Sequence, residues 1–229
     1  MHLNRLKFCI TSATLAMLLS MHSGTAIAGV ALSDLLAGDS IVAGQTTFSN
    51  FTLVEDSGTI SPNTSNITVN ALTGVNRAGL FFDAGGEFTL APGFDSIILQ
   101  LAYDVETSGS VLDGETLSLF GRTEAGVEGL IDLTSTLDSN TGFVGEISAQ
   151  IDPLFGIDEP IVSQTFAATD TLAATTSLTL FADANFTAPG DVLLDGFSQS
   201  FSTSAVPEPS SFTIALFGLA SVLVRRRRR

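Results

Sequence analysis

The stretch Ser96–Thr107, SIILQLAYDVET, decides the fold class of this chain. Apolar side chains recur at every second position from Ile97 to Val105. The alternate positions become polar toward the end of the stretch, where Asp104 and Glu106 lie. Because successive side chains of a strand point to opposite faces, this period of two predicts a β-strand with one buried face and one mostly wet face. The stretch therefore indicates a sheet protein.

Similar segments, rich in Thr, Val, Ile and Phe, lie on both sides of this stretch, from TFSNFTLVE at 47–55 to DGFSQSFST at 195–203. Turn-forming sequences such as APGFD and LDSNTG separate them. About ten short strands with this punctuation predict an all-β domain, an antiparallel β-sandwich or jelly roll. We expect one short helix at Leu32–Ala37, and we expect most of the fourteen phenylalanines from Phe48 to Phe201 in the core.

The first 28 residues read as a signal peptide. Arg5 and Lys7 form a basic start, an apolar run follows from Phe8 to about Leu19, and Ala26 and Ala28 supply the small residues of a cleavage site. The run of about 12 residues is much shorter than the ~20 that a membrane-spanning helix needs, which disfavours an N-terminal anchor. The segment predicts export through the Sec machinery with cleavage after Ala28.

The remaining chain is chemically narrow. Removal of residues 1–28 takes away every histidine, cysteine, lysine and methionine, and the chain has no tryptophan. Between Gly29 and Val206 the basic residues are Arg77 and Arg122, and there are 23 acidic residues. This part of the chain therefore carries a net charge of −21. Nucleic acids and anionic lipids are therefore disfavoured partners. Catalytic triads and zinc sites cannot be built, because both need histidine or cysteine.

Carboxylate chemistry is the remaining possibility for a site. The clusters Glu55-Asp56, Asp113-Gly114-Glu115 and Asp158-Glu159 lie where we expect turns, and they match no calcium-loop pattern. We therefore expect solvated turn residues, with weak calcium binding as the alternative. A secreted carboxylate-based glycan hydrolase is the rival function, because paired acids can hydrolyse glycosides at any sequence spacing. We predict no enzyme, no catalytic residue, no metal site and no cofactor.

Threonine is abundant and invites an ice-binding interpretation, since ice-binding faces often use regular threonine ladders. The clusters Thr134-Ser135-Thr136 and Thr175-Thr176 show no fixed period, and no repeat of ~20–50 residues is present. High β-propensity explains these residues more simply.

The last 25 residues combine a Pro-Glu-Pro motif, an apolar run at Phe212–Val224 and arginines at Arg225–Arg229. As a helix, the run would reach only about 20 Å, against the ~30 Å of a hydrocarbon core. The terminal arginines would stop transfer and hold that end in the cytoplasm. The predicted membrane helix comprises residues 212–224. Its large apolar side chains, which we expect to lie in the bilayer, are those of Phe212, Leu216, Phe217, Leu219, Val222, Leu223 and Val224.

This tail resembles the PEP-CTERM sorting signal of exported proteins in Gram-negative bacteria that make extracellular polysaccharide. The resemblance covers residues 205–229 and rests on Val206, Pro207, Glu208 and Pro209, the apolar run, and the stop-transfer arginines Arg225, Arg226, Arg227, Arg228 and Arg229. It implies recognition by a membrane-embedded exosortase, transient anchoring in the inner membrane, and then release or surface attachment. A plain C-terminal anchor is the alternative.

We expect three parts: a signal peptide at 1–28, an all-β ectodomain at 29–204 and the sorting tail at 205–229. The predicted role is structural or adhesive, in the exopolysaccharide or biofilm matrix outside the cell. Exosortase and exopolysaccharide are the expected partners, and nucleic acid is not.

Overall fold

The computed structural model describes residues 29–91, 95–123, 129–153, 156–182 and 192–206. Within them it contains one helix, α1 (Leu32–Leu36), which confirms the short helix predicted there. The strands are β1 (Val30–Ala31), β2 (Ile41–Ala43), β3 (Thr46–Gly58), β4 (Thr68–Gly74), β5 (Arg77–Asp83), β6 (Thr89–Leu90), β7 (Asp95–Thr107), β8 (Ser110–Thr123), β9 (Gly129–Ser139), β10 (Gly142–Asp152), β11 (Ile157–Glu159), β12 (Ile161–Thr169), β13 (Thr171–Ala182) and β14 (Val192–Ala205).

These strands form two antiparallel sheets. Sheet A has the order β1-β4-β5-β14-β8-β12, with β6 also paired to β14. Sheet B has the order β11-β10-β9-β13-β7-β3-β2. The predicted antiparallel β-sandwich is confirmed. The last strand, β14, lies in the middle of sheet A, between β5 and β8.

Strand β7 shows how the sequence pattern becomes a two-sided sheet. The five apolar side chains from Ile97 to Val105 that the alternation places on one face are each at most 2% exposed. Asp104 and Glu106, on the other face, are exposed. Strand β7 pairs with β13 on one side and with β3 on the other, so its inner face lies over the centre of the core.

The core between the sheets is rich in aromatic rings. Phe82 and Phe197, on neighbouring strands of sheet A, stack with ring centroids 4.5 Å apart. Phe51 and Tyr103 of sheet B stack at 4.9 Å. Burial of each such side chain contributes about 1.5–3 kcal/mol. The prediction that phenylalanines fill the core is confirmed for Phe48, Phe51, Phe82, Phe88, Phe197 and Phe201.

One edge of the sandwich closes by a close approach of β10 to β12. A Cβ atom placed on Gly145 of β10 would lie 2.6 Å from the Oε1 atom of Gln164 on β12. Glycine therefore provides the room in which the half-buried Gln164 side chain reaches between the sheets.

No helix in the described part of the chain is long and apolar enough to cross a membrane. The predicted signal peptide and membrane helix lie outside the described residues.

Candidate functional site

The sorting motif begins where the described chain stops. Val206 follows β14 directly and is 45% exposed, so the chain leaves the domain at the surface. Strand β14 includes Ala205, one residue into the predicted tail. The cleavage-site residues Ala26 and Ala28 and every tail residue from Pro207 to Arg229 lie outside the described residues.

A buried polar cluster joins the two sheets at the level of Gln199. The Gln199 amide nitrogen donates to Glu115 Oε1 at 2.6 Å and to Ser135 Oγ at 2.8 Å. Its amide oxygen accepts from the Tyr103 hydroxyl and, at 2.6 Å, from the Thr176 hydroxyl. Glu115 and Gln199 belong to sheet A, and the other three belong to sheet B, so the cluster ties the sheets together.

Glu115 is the acidic member of this cluster. It is 1% exposed, and burial in the sandwich raises the pKa of its carboxyl, although hydrogen bonds from Ser135, Gln164 and Gln199 oppose that rise. Gln164 donates to Glu115 Oε2 at 3.0 Å from the closed edge of the sandwich. Burial likewise raises the pKa of Tyr103. A raised carboxyl pKa is typical of a general acid, but this carboxyl is enclosed between the two sheets and is 1% exposed.

The sequence prediction that the acidic clusters are turn residues is wrong. Asp113, Glu115 and the Glu55-Asp56 pair lie within strands β8 and β3, and Asp158-Glu159 belong to β11. The available signal was the alternation in Glu115, Leu117 and Leu119, which share one buried face. Among the described residues, no group of three or more acidic side chains is arranged to hold a metal ion.

The outer face of sheet A has a floor of small residues. The register places Gly196, Ser198 and Ser200 of β14 beside Phe120, Ser118 and Thr116 of β8. On the other side of β14, Gly196 pairs with Asp83 of β5. Ser198 pairs with Phe81, and Ser200 pairs with Gly79. The side chains on β14 are short, so larger side chains from β5 and β8 can lie over the central strand.

Phe81 and Phe120 form an aromatic shelf over Gly196. Their rings meet edge to face with centroids 5.5 Å apart. A Cβ atom on Gly196 would lie 2.9 Å from Phe81 Cζ, so the glycine allows the ring to rest against the strand backbone. Phe120 is 47% exposed and Phe81 is half-buried. The two rings therefore form a partly exposed aromatic surface on the outer face of sheet A.

Polar groups surround the aromatic shelf. Asn70 lies beside Phe81 in the register of β4 and β5, and Ser118 lies beside Ile161, which is 64% exposed. Further along the same face, Arg77 donates from Nε to the Ser200 hydroxyl at 2.8 Å. The half-buried amide of Asn70 is therefore the partly exposed polar group beside the shelf, whereas Ser118 and Ser200 are buried.

The outer face of sheet B is different, because it carries hydroxyl groups and acids. Thr136 pairs with Thr175, and Thr134 pairs with Ser177, so the structure brings the two threonine clusters of the sequence onto neighbouring strands. Phe181, 39% exposed, is the aromatic residue of β13 on this face. Acidic side chains on this face accept hydrogen bonds from neighbouring hydroxyl groups. For example, the Ser148 hydroxyl donates to Asp132 Oδ1 at 2.5 Å.

Sequence reasoning missed the aromatic shelf and the buried cluster. Phe81 and Phe120 looked like core residues, because hydrophobicity alone does not tell which face of a strand becomes the outside. In ETLSLFGRTE, the alternation that buries Leu117 and Leu119 places Phe120 on the opposite face. That signal was present in the sequence, whereas the contact with Phe81 depends on a strand pairing that the sequence does not give.

The chain is remotely similar to several solved structures. TmCBM61 in complex with β-1,4-galactotriose shares 12% identity over 63% of this chain and 86% of that chain, with a TM-score of 0.27. The mannan-recognising carbohydrate-binding module TmCBM27 shares 11% identity over 66% of this chain and 98% of that chain, with a TM-score of 0.28. A tailspike protein of bacteriophage CBA120 shares 11% identity over 69% of this chain and 19% of that chain, with a TM-score of 0.27. These similarities are too remote to support any conclusion about a ligand.

No curated protein matches the chain significantly. The C-terminal segment, in contrast, has a specific match, and it supports the resemblance seen in the Pro-Glu-Pro motif, the apolar run and the arginines. Residues 205–229 match the PEP-CTERM protein-sorting motif, so this chain carries a signal that implies export, transient membrane anchoring and exosortase processing for display at the cell surface.

Proposed function

We propose that the domain binds extracellular polysaccharide through the aromatic shelf and serves a structural or adhesive role in the matrix of a Gram-negative bacterium. The edge-to-face pair of half-buried Phe81 and 47%-exposed Phe120 is the observation that carries this proposal. The electron-rich face of an aromatic ring attracts the weakly positive C–H groups of a pyranose ring. The half-buried amide of Asn70 lies beside Phe81 in the strand register, where it could form a hydrogen bond with a sugar hydroxyl.

The charge of the domain narrows the ligand class. A net charge of −21 between Gly29 and Val206 repels polyanions. We therefore expect an uncharged glycan chain to bind better than one rich in uronic acids or sulfate.

A glycan hydrolase remains the rival proposal. Glu115 has the raised pKa that a general acid needs, but it is 1% exposed and tied to Gln199 and Gln164. A substrate would have to part the two sheets to reach it. We therefore propose a role without catalysis.

Affinity electrophoresis tests the proposal. The purified protein is run through gels that contain the neutral polysaccharide of the producing organism, beside gels that contain alginate as an anionic comparison. The wild type should be retarded by the neutral polymer, and Phe120→Ala should weaken binding about tenfold, which corresponds to about 1.4 kcal/mol.

Phe181→Ala is the matched control, because Phe181 is a partly exposed phenylalanine on the outer face of the other sheet. It should bind as the wild type does. Equal retention of the wild type and Phe120→Ala would contradict the shelf as the binding site. Shortening of the polymer, followed by size-exclusion chromatography, would favour the hydrolase.

A further inference from the structure

The point where the chain leaves the domain limits how far the domain can stand from a membrane. β14 ends at Ala205, and only the five residues from Pro207 to Ser211 separate Val206 from the apolar run that begins at Phe212. Five residues span at most about 18 Å, even when fully extended. While the tail is embedded, the end of the sandwich that carries Val206 must therefore lie close to the bilayer surface.

Several turns build this tail-proximal end. Three backbone hydrogen bonds connect these turns to one another or to strands. The Ser108 amide donates to Gln45 O at 3.0 Å, and the Thr107 amide donates to Asp170 O at 3.0 Å. The Thr203 amide donates to Asn76 O at 2.9 Å. The β9–β10 turn lies at the same end, because Asp138 of β9 pairs with Ala173 near the start of β13. These contacts place the five turns together at one end of the sandwich.

The tail-proximal end has few charges for such an acidic domain. Its turns are Gly44–Gln45, Val75–Asn76, Ser108–Gly109, Asn140–Thr141 and Asp170, and one of their residues, Asp170, is charged. The nearest flanking charges are Arg77, Glu106, Asp113 and Asp138, the last of which pairs with Phe143 in the register of β9 and β10. The opposite end of the sandwich carries seven described carboxylates, which are Asp83, Glu87, Asp95, Asp152, Asp158, Glu159 and Asp195.

The same end exposes apolar side chains. Val75, at the tip of the β4–β5 turn, is 95% exposed, and Phe143, just after the β9–β10 turn, is 67% exposed. Val206 is 45% exposed at the exit of the chain. In water, exposed apolar side chains contribute no favourable burial free energy. At a lipid interface they are stabilised by burial among headgroups and acyl chains.

We propose that the tail-proximal end docks on the lipid bilayer while the sorting tail is embedded, with Val75 and Phe143 as its apolar contacts. This inference rests on the membrane stage that the sorting signal implies, and it adds an orientation to the proposed function. The acidic end then points away from the membrane, and the outer faces of both sheets stand sideways. The aromatic shelf would remain free to bind polysaccharide before the tail is removed.

Single-tryptophan variants of the tailed protein test the orientation, because the chain contains no tryptophan of its own. Val75→Trp and Phe143→Trp are placed in neutral phosphatidylcholine vesicles whose acyl chains carry bromine as a quencher. Both should show blue-shifted emission and a loss of fluorescence relative to vesicles without bromine. Val54→Trp is the matched control, because Val54 is 55% exposed near the middle of β3. It should keep its fluorescence.

Flotation of the vesicles on a density gradient separates the possible failures. If the protein floats but tryptophan at position 75 or 143 is quenched no more than at position 54, the docking proposal is overturned and the polysaccharide proposal stands. If the protein does not float, the tail does not insert, and docking falls with it. A photo-crosslinker at position 75 that yields only a protein adduct in native membranes would also overturn lipid docking and indicate the processing enzyme as the occupant.

Discussion

The inner and outer sides of strands β8 and β14 contrast sharply, although the residues alternate along the same backbone. On the inner side, Glu115 and Gln199 are fully hydrogen-bonded and packed against sheet B. On the outer side, Gly196 and Ser198 leave a low floor, over which Phe120 lies half exposed. The inner side holds the sheets together, and the outer side offers area to a ligand.

This difference teaches that polarity does not identify the functional side of the domain. The most polar cluster lies in the interior and is structural, while the candidate binding surface is built around two phenylalanines. We therefore expect substitutions on the inner side to change the free energy of unfolding, and substitutions on the outer side to change binding.

Gln199→Ala should have the largest effect on stability. It removes the partner of Glu115, Ser135, Tyr103 and Thr176 at once. Leaving one buried hydrogen-bonding group without its partner costs about 1–3 kcal/mol, and this substitution removes a partner from four such groups. Ser198→Ala is the adjacent control, since Ser198 is 5% exposed but points to the outer side, and it should stay within about 0.5 kcal/mol. Urea unfolding measures both, and equal losses would break the contrast between the sides.

Glu115→Gln should change how stability depends on pH. The pKa of Glu115 is raised in the folded state, so its contribution to stability is fully present below the unfolded pKa and is lost as pH rises through the folded pKa. The stability of the wild type relative to Glu115→Gln should therefore fall as pH rises from about 4.5 toward neutrality. Subtracting the two curves cancels the contribution of the other carboxylates.

Glu87→Gln is the control of opposite sign. Asn66 donates to Glu87 Oε1 at 2.6 Å and the Asn63 backbone amide donates to Oε2 at 2.8 Å, and these bonds lower the pKa of Glu87. Its contribution is present above the unfolded pKa and lost as pH falls through the folded pKa. Chemical unfolding across this pH range measures both variants, and parallel curves for the wild type and Glu115→Gln would show that the interior carboxyl is not perturbed.

Phe120→Ala should have the smallest effect on stability. It loses part of an edge-to-face contact with Phe81, worth about 0.5–1.5 kcal/mol, from a ring that is 47% exposed. Phe197→Ala, the stacked inner residue of β14, should cost about 3–5 kcal/mol. Thermal unfolding compares the two. A loss for Phe120→Ala as large as that for Phe197→Ala would mean that the shelf is part of the core.

Much of the fold was predictable from alternation. The stretch around Leu101 and Tyr103 predicted a strand with one buried face, and the structure buries those residues. The partner of each strand was not predictable, because pairing joins residues far apart in sequence, such as Leu101 with Thr176. Sequence also predicted turns for Asp113 and Glu115, since Asp and Gly favour turns, but burial of the alternating Glu115 side chain in the strand overrides that local preference.

The candidate site was less predictable than the fold. The sorting tail is a linear signal, so Pro207–Pro209 and the arginines were readable directly from the sequence. The aromatic shelf is not linear: Phe81 and Phe120 meet only because β5 and β8 flank β14 and because Gly196 lies between them. Such a surface becomes visible only when the pairing of all three strands is known.

The central place of β14 in sheet A has a consequence for biogenesis. A sheet whose middle strand is the last to be synthesised cannot be completed from its earlier strands, because β5 and β8 do not meet without it. Ala205, where this strand ends, lies only seven positions before Phe212. In an exported chain, sheet A can therefore close only after β14 has been delivered, with the apolar run following a few residues behind it.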